Sequence, residues 1–166
     1  ASTWMWIDPA ARTLVIDASS QSRAYMIVSA LVDLLPGLSV SLINTHSSPQ
    51  ARMAHWLSEQ EPPDGFTVDR ECELKASDES KAVVKYGRHP LDIAEVQQHI
   101  QQGKLPTKLA LTWDDRVSFV LTEGLVLKKI AFLDTVFEGT KADDGSFDTD
   151  VAIMTGELAK LIPDLI

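Results

Sequence analysis

The chain has 166 residues, of which 45% are hydrophobic and 23% charged, and its formal net charge is −9. This composition excludes a disordered chain, and the acidic balance argues against a protein whose whole surface binds nucleic acid, although a local basic region is compatible with it. The sequence has no apolar run of membrane-spanning length and no signal-peptide pattern, so we expect a cytoplasmic protein without membrane contact.

The first predicted elements are a hairpin and two helices. Short apolar runs over residues 4–7 and 13–16 flank a turn-like Asp-Pro segment, which predicts two antiparallel strands. Apolar residues spaced three and four apart predict a helix over residues 20–35. A run rich in Val, Leu and Ile predicts a strand over residues 38–43, and Ser48-Pro49 predicts the N-cap and first turn of a second helix.

Several boundary signals agree on a helix over residues 91–103. Asp92 is the predicted N-cap, and Glu95 lies three positions later, as in a capping box. Leu91 and Val96 occupy the positions of a hydrophobic staple at the start of the helix. Gly103 is the predicted stop residue at its end.

Strands are predicted on both sides of that helix. Two lie before it, over residues 66–75 and 81–86, and three lie after it, over residues 108–113, 116–121 and 125–132. The remaining predicted elements are a two-residue hairpin turn at Asp114-Asp115, a short strand over residues 151–154 and a terminal helix from Thr155.

This order of elements favours an α+β fold over a doubly wound one, because hairpins outnumber crossover connections. We expect mostly antiparallel sheets with three to four packed helices. A change of subdomain near Pro62 divides the chain into a ββαβα part, residues 1–62, and a ββα-βββ-βα part, residues 63–166.

The sequence contains no established catalytic or metal-binding signature. It has no phosphate-binding glycine loop, no nucleophile elbow and no Cys-x-x-Cys pair, and its four histidines lack the spacing of a helical zinc site. Cys72 has no basic neighbour and is predicted to be buried or inert. One acidic loop does not match a calcium-binding loop and is interpreted as solvated: Asp143, Asp144, Asp148 and Asp150. We therefore expect no enzymatic activity, no metal and no cofactor.

The four tryptophans have two interpretations. They could stack on bases, as in proteins that bind single-stranded nucleic acid. Each lies within an apolar pattern, however, so core packing is predicted for most of them. They are Trp4, Trp6, Trp56 and Trp113.

A cluster of cations contrasts with the acidic chain. Residues 81–108 have a net charge of +3, so the rest of the chain carries −12. The helix predicted within this window has no cation, and neutral glutamines separate the cations before it from those after it. Such a surface can face phosphate without repulsion, although a solvated helix flank is the ordinary alternative. The cations are Lys81, Lys85, Arg88, Lys104 and Lys108.

Three segments of the sequence resemble a known family. They are MWID near the start, HIQQGKLPTKLALTWDDRVSFVLTEG over residues 99–124 and AIMTGELAKLIPDLI at the end. With these segments in the same order, the chain resembles the family of the bacterial recombination-associated protein RdgC from its first residues to its last. Family members are longer, and the resemblance implies the C-terminal portion of such a chain, with an N-terminal part absent.

The resemblance implies a DNA-binding protein of the cytoplasmic nucleoid that is not an enzyme. Family members form ring-shaped homodimers whose basic inner surface surrounds duplex DNA, and they restrain the recombinase RecA. By position, Arg88-His89 corresponds to a basic residue followed by a polar one near the DNA, and Lys104 corresponds to a basic position. His89 departs from the amide of the family pattern.

We therefore predict a fragment of a ring-forming dimer that binds double-stranded DNA through phosphates and does not read its sequence. One alternative is a structural or dimerisation module with little DNA binding of its own, and an enzyme is a third class. The predicted DNA-binding residues are Lys85, Arg88, His89, Lys104 and Lys108.

Overall fold

Residues 2–138 and 146–166 are described by the computed structural model of the chain. The chain divides into two units, Ala1–Asn44 and Thr45–Ile166. The subdomain change predicted near Pro62 lies inside the second unit. Asp143 and Asp144 of the predicted acidic loop lie outside the described residues.

The first unit contains a hairpin and one helix. Strand β1 (Met5–Asp8) pairs antiparallel with β2 (Thr13–Ile16), as predicted, and α1 spans Gln21–Leu34. The Ser20 hydroxyl caps α1 by accepting a hydrogen bond from the backbone N–H of Arg23 at 3.3 Å.

Residues 38–43 do not form the predicted strand. Their composition suits a strand, but within the described residues no neighbouring strand pairs with them. Because strand preference depends on pairing and packing more than on residue type, this unpaired run stays irregular.

Within the described part of the first unit, no residue is buried. Several large apolar side chains are mostly exposed, including Trp4 at 64%, Met26 at 73% and Leu34 at 74%. The predicted core packing is therefore wrong for Trp4. It is confirmed for Trp56 and Trp113 of the second unit, which are each 5% exposed.

The second unit is built on a five-stranded sheet. Its strands are β3 (Phe66–Ala76), β4 (Val83–Tyr86), β5 (Lys104–Trp113), β6 (Val117–Thr122) and β7 (Leu127–Phe132). They lie in the order β4-β3-β5-β6-β7, and every neighbouring pair is antiparallel. With its helices, this sheet confirms the predicted α+β fold with mostly antiparallel strands.

The described residues of the second unit also form four helices: α2 (Pro49–Glu59), α3 (Ala94–Gln101), the short α4 (Asp134–Phe137) and α5 (Phe147–Leu165). Side chains from α2, α3 and α5 pack with one face of the sheet in a single hydrophobic cluster. We call this side of the sheet the core face. The hydrophobic cluster includes Met53, Val96, Leu109, Phe119 and Leu161.

The helix before β5 is shorter than predicted, and its predicted N-cap is wrong. Ile93 holds the cap position of α3 and makes no side-chain hydrogen bond, so Asp92 lies one residue too early for a capping box. Leu91 and Val96 are nonetheless buried in the same cluster. Gly103 ends the helix as predicted, with a positive φ of 97° that glycine adopts without strain.

The C-terminal helix replaces a predicted strand. Residues 151–154 lie inside α5, which begins after its N-cap Ser146. One side of α5 buries Glu157, Leu161 and Leu165, and this four-residue spacing outweighs the strand preference of a short apolar run.

The turn between β5 and β6 is one residue longer than predicted. Trp113 pairs with Val117, so Asp114, Asp115 and Arg116 all lie in the turn. Both aspartates have a φ of 51°, a conformation that Asp adopts more readily than most residues. The predicted hairpin is confirmed, and its third turn residue is a cation.

Polar contacts join this hairpin to α5. The Arg116 guanidinium donates to both carboxylate oxygens of Glu157, with Nε and Oε2 separated by 2.9 Å. This hydrogen bond lowers the pKa of the Glu157 carboxyl, although burial opposes the shift. Nearby, Nε1 of Trp113 donates to the Asp164 carboxylate at 2.9 Å. These contacts fix the helix to the end of the sheet.

Cys72 lies on the core face of β3 and is 2% exposed. Burial raises the pKa of its thiol to about 12, so almost no reactive thiolate forms near neutral pH. We expect iodoacetamide to leave the native chain unmodified and to add one label after unfolding in guanidinium chloride, as measured by intact mass. Because the chain has one cysteine, a full label on native protein at neutral pH would contradict this expectation.

Candidate nucleic-acid interface

The side of the five-stranded sheet opposite the core face carries a group of lysines. Side chains alternate between the two sides of a strand, and Glu73 follows Cys72 of the core face along β3. Glu73 lies opposite Lys85 on β4 and Lys108 on β5, so these three side chains share the outer side. We call this surface the lysine face. Its charged residues are Lys75, Lys85, Lys108, Lys128, Lys129, Asp69, Glu71 and Glu73.

The lysine face continues across the sheet to β7. Ala110 lies two residues from Lys108 on β5 and therefore on the same side. Ala110 pairs with Val120 of β6, which pairs in turn with Lys128 of β7. With five lysines and three carboxylates the face has a net charge of +2, in a chain whose total is −9.

Glu73 lies between two lysines at the centre of the lysine face. Its Oε2 atom is 3.6 Å from Nζ of Lys85 and 3.9 Å from Nζ of Lys108. The Thr107 hydroxyl donates to its Oε1 atom at 2.8 Å. This hydrogen bond, together with the two lysine charges, lowers the pKa of the Glu73 carboxyl, which therefore stays ionised at neutral pH.

A third ion pair crosses the lysine face. Nζ of Lys129 on β7 lies 3.0 Å from Oε1 of Glu71 on β3, although β5 and β6 lie between these strands. Neighbouring strands are about 4.8 Å apart, so the two side chains must lean toward each other over the intervening pair. Ala110 and Val120, the residues of those strands on this side, are only 8% and 5% exposed.

Arg88 and His89 lie in the loop after β4. The backbone N–H of His89 donates to the carbonyl of Arg70 at 3.1 Å, which ties the loop to β3. The imidazole is held locally, because its Nδ1–H donates to the carbonyl of Pro90 at 2.8 Å. Arg88 is exposed, with a φ of 52°. The loop thus lies beside Arg70, three residues before Glu73 on β3, whereas Lys85 lies opposite Glu73 itself.

Lys104 falls on the other side of the sheet from Lys108. The register between β3 and β5 shifts just after Glu73, so the even spacing of the two lysines no longer keeps them on one side. Lys104 pairs with Ala76, three residues beyond Glu73 and therefore on the opposite side of β3. The structure brings Lys85 and Lys108 together and separates Lys104 from them.

The sequence-based set omitted three lysines and the carboxylates of the lysine face. Lys75, Lys128 and Lys129 lie outside the positively charged window, so a charge count along the chain does not select them. The signal that could have found Lys75 is its two-residue spacing from Glu73 in a predicted strand. The two lysines of β7 join the face only through strand pairing.

Across residues 2–138 and 146–166, no group of three or more His, Cys, Asp or Glu residues is arranged to hold a metal ion. In the same ranges, no helix combines the length and the apolar character needed to cross a bilayer.

One family model matches the entire sequence. The family described as "Putative exonuclease, RdgC" matches residues 1–166. The chain belongs to the RdgC family. This confirms the family predicted from the sequence.

Relatives in the RdgC family show the likeness in detail. Proteins named "Recombination-associated protein RdgC" from Dechloromonas aromatica and Herminiimonas arsenicoxydans are 45% and 44% identical to the chain over 99% of its length. One from Cupriavidus pinatubonensis is 47% identical over 98% of it. The chain spans 56–57% of the length of these RdgC relatives. Their name refers to recombination, whereas the description of the family model refers to an exonuclease.

Proposed function

We propose that the chain is the part of an RdgC protein that binds duplex DNA through phosphates, without reading its sequence. The lysine face is the observation that carries this proposal, since it is net positive in a strongly acidic chain. Neutralisation of phosphates by Lys and Arg is the main sequence-independent source of DNA affinity. The residues proposed to contact phosphate are Lys85 and Lys108, with Arg88 and His89 at one end of the face; Lys104, on the other side of the sheet, is proposed to contribute less.

The dimensions of the lysine face suit a duplex. From Arg70, beside the Arg88 loop, to Ala76, strand β3 rises by about 20 Å. Duplex DNA carries about one phosphate per 1.7 Å of helix axis, so several phosphates lie within such a length. Lysines act as point charges on flexible stems and do not require a fixed base edge, which supports binding without sequence preference.

For the whole protein, we propose the assembly and role that family membership suggests. It is a ring-shaped homodimer around duplex DNA in the cytoplasmic nucleoid, and it modulates recombination by restraining RecA. In this proposal the protein binds DNA and does not cleave it, which agrees with the name of the curated relatives rather than with the description of the family model.

A second candidate function is a structural or dimerisation module with little DNA binding of its own. The observation that favours it is the exposed apolar surface of the first unit, where Trp4, Met26 and Leu34 are each more than half exposed. Contiguous exposed apolar surface commonly marks a protein contact.

A binding titration separates the two functions. We expect fluorescence anisotropy to show equal affinities for two unrelated duplexes of equal length, both weakening steeply as salt rises. A strong preference for one duplex would require readout of base edges and contradict the proposal. Absence of binding even at low salt would favour the structural module.

The same preparation tests the catalytic alternative. We expect an end-labelled duplex to keep its length after incubation with the chain and Mg²⁺. Progressive shortening that stops on addition of a chelator would contradict the proposed non-enzymatic role.

A further inference from the structure

Glu73 is more firmly held than the two lysines around it. Its side chain is 18% exposed, whereas the side chains of Lys85 and Lys108 are 73% and 43% exposed. Oε1 of Glu73 accepts from Thr107, a residue only 7% exposed, and Oε2 is left to face both ammonium groups. The carboxylate is therefore fixed, and the lysines are free to turn.

We propose that Glu73 competes with DNA phosphates for Lys85 and Lys108 and thereby lowers the affinity of the lysine face. This inference rests on the proposed function. A phosphate that approaches the face must draw both ammonium groups away from one carboxylate. That carboxylate cannot follow them, because Thr107 holds it, and it stays within a few ångströms as a like charge.

The arrangement distinguishes Glu73 from the other carboxylates of the face. Glu71 has one lysine contact, with Lys129, and its side chain is 43% exposed, so it can move away with its partner. Glu73 contacts two lysines from two different strands. It therefore limits two cations of the lysine face at once.

The test compares duplex affinity of the wild-type chain with that of Glu73→Gln. Gln keeps an oxygen that accepts from Thr107, so the fold is retained, which a thermal melt checks. We expect binding to tighten by about threefold to tenfold at low salt, as for the release of two exposed ion pairs. The matched control is Glu59→Gln, an exposed carboxylate at the end of α2. It changes the net charge equally and should leave the affinity nearly unchanged.

A double-mutant comparison separates competition from simple repulsion. In a chain that carries Lys85→Gln and Lys108→Gln, the gain from Glu73→Gln should shrink, because there are no lysines to release. An equal gain in both backgrounds would overturn the inference, and so would a gain no larger than that of Glu59→Gln. Those results leave the proposed function standing. If the wild-type chain shows no salt-dependent binding to duplex DNA, the proposed function fails and the inference fails with it.

Discussion

Replacement of Lys85 and Lys108 by glutamine is expected to weaken binding to every duplex by roughly tenfold to fiftyfold at about 0.1 M salt. Each phosphate contact contributes about 0.9 to the slope of log K against log salt, so the slope should flatten by about 1 to 2. The double variant also leaves Glu73 near the DNA without its two cations. Anisotropy titrations of two unrelated duplexes over a range of salt concentrations measure both effects.

Two controls accompany this experiment. Arg12→Gln with Lys160→Gln removes the same charge at exposed positions that are not part of the lysine face, and should change the slope little. Lys104→Gln tests the assignment of sides, because Lys104 lies on the other side of the sheet and should have less effect than Lys108→Gln. If the Arg12 and Lys160 pair flattens the slope as much as the lysine-face pair, the lysine face is a solvated surface.

Replacement of Leu161 by alanine is expected to lower the free energy of unfolding of the chain by about 2 to 5 kcal/mol. Leu161 is completely buried and belongs to the hydrophobic cluster between α5 and the core face. The loss combines the transfer free energy of the deleted methyl groups with that of the cavity they leave. Urea denaturation followed by circular dichroism measures the change.

A neighbouring substitution provides the control for this prediction. Lys160→Ala changes an exposed residue of the same helix and should shift the free energy of unfolding by less than about 0.5 kcal/mol. Equal effects of the two variants would mean that α5 does not pack its Leu161 side into the core.

Two elements with local signals agree with the structure, although the local capping signal at Asp92 does not. The first hairpin follows from two short apolar runs around a turn, and α2 begins where Ser48 and Pro49 predict, with the Ser48 hydroxyl accepting from the N–H of Ala51 at 3.1 Å. Where tertiary contacts determine the secondary structure, local sequence patterns do not predict it correctly. Residues 38–43 and 151–154 are both rich in apolar side chains, yet the first run is irregular and the second is helical. Within the described residues the first has no pairing strand, whereas the second lies on a helix with a buried side.

Some residues of the candidate site are likewise predicted by local charge, whereas others are placed there only by strand pairing. Lys85 and Lys108 are in the positively charged window and the structure brings them together, but their common neighbour Glu73 comes from a strand that precedes the window. A shift in register between β3 and β5 places Lys104 on the other side of the sheet, and no charge pattern in the sequence predicts that shift. Local charge density can therefore identify a region, whereas the assignment of each side chain to a face requires the pairing of distant strands.

The first unit exposes apolar side chains, so the net negative charge of the chain affects its tendency to aggregate. Trp4, Met26, Leu34 and Leu42 present apolar area to solvent, and such area attracts other copies of a protein. At neutral pH each copy carries a charge of −9, so the copies repel one another. Near pH 4.8, the isoelectric point of the sequence, partial protonation of the carboxylates cancels this charge, and the repulsion disappears while the apolar area is unchanged. The acidic surplus of the chain thus keeps it dispersed at neutral pH.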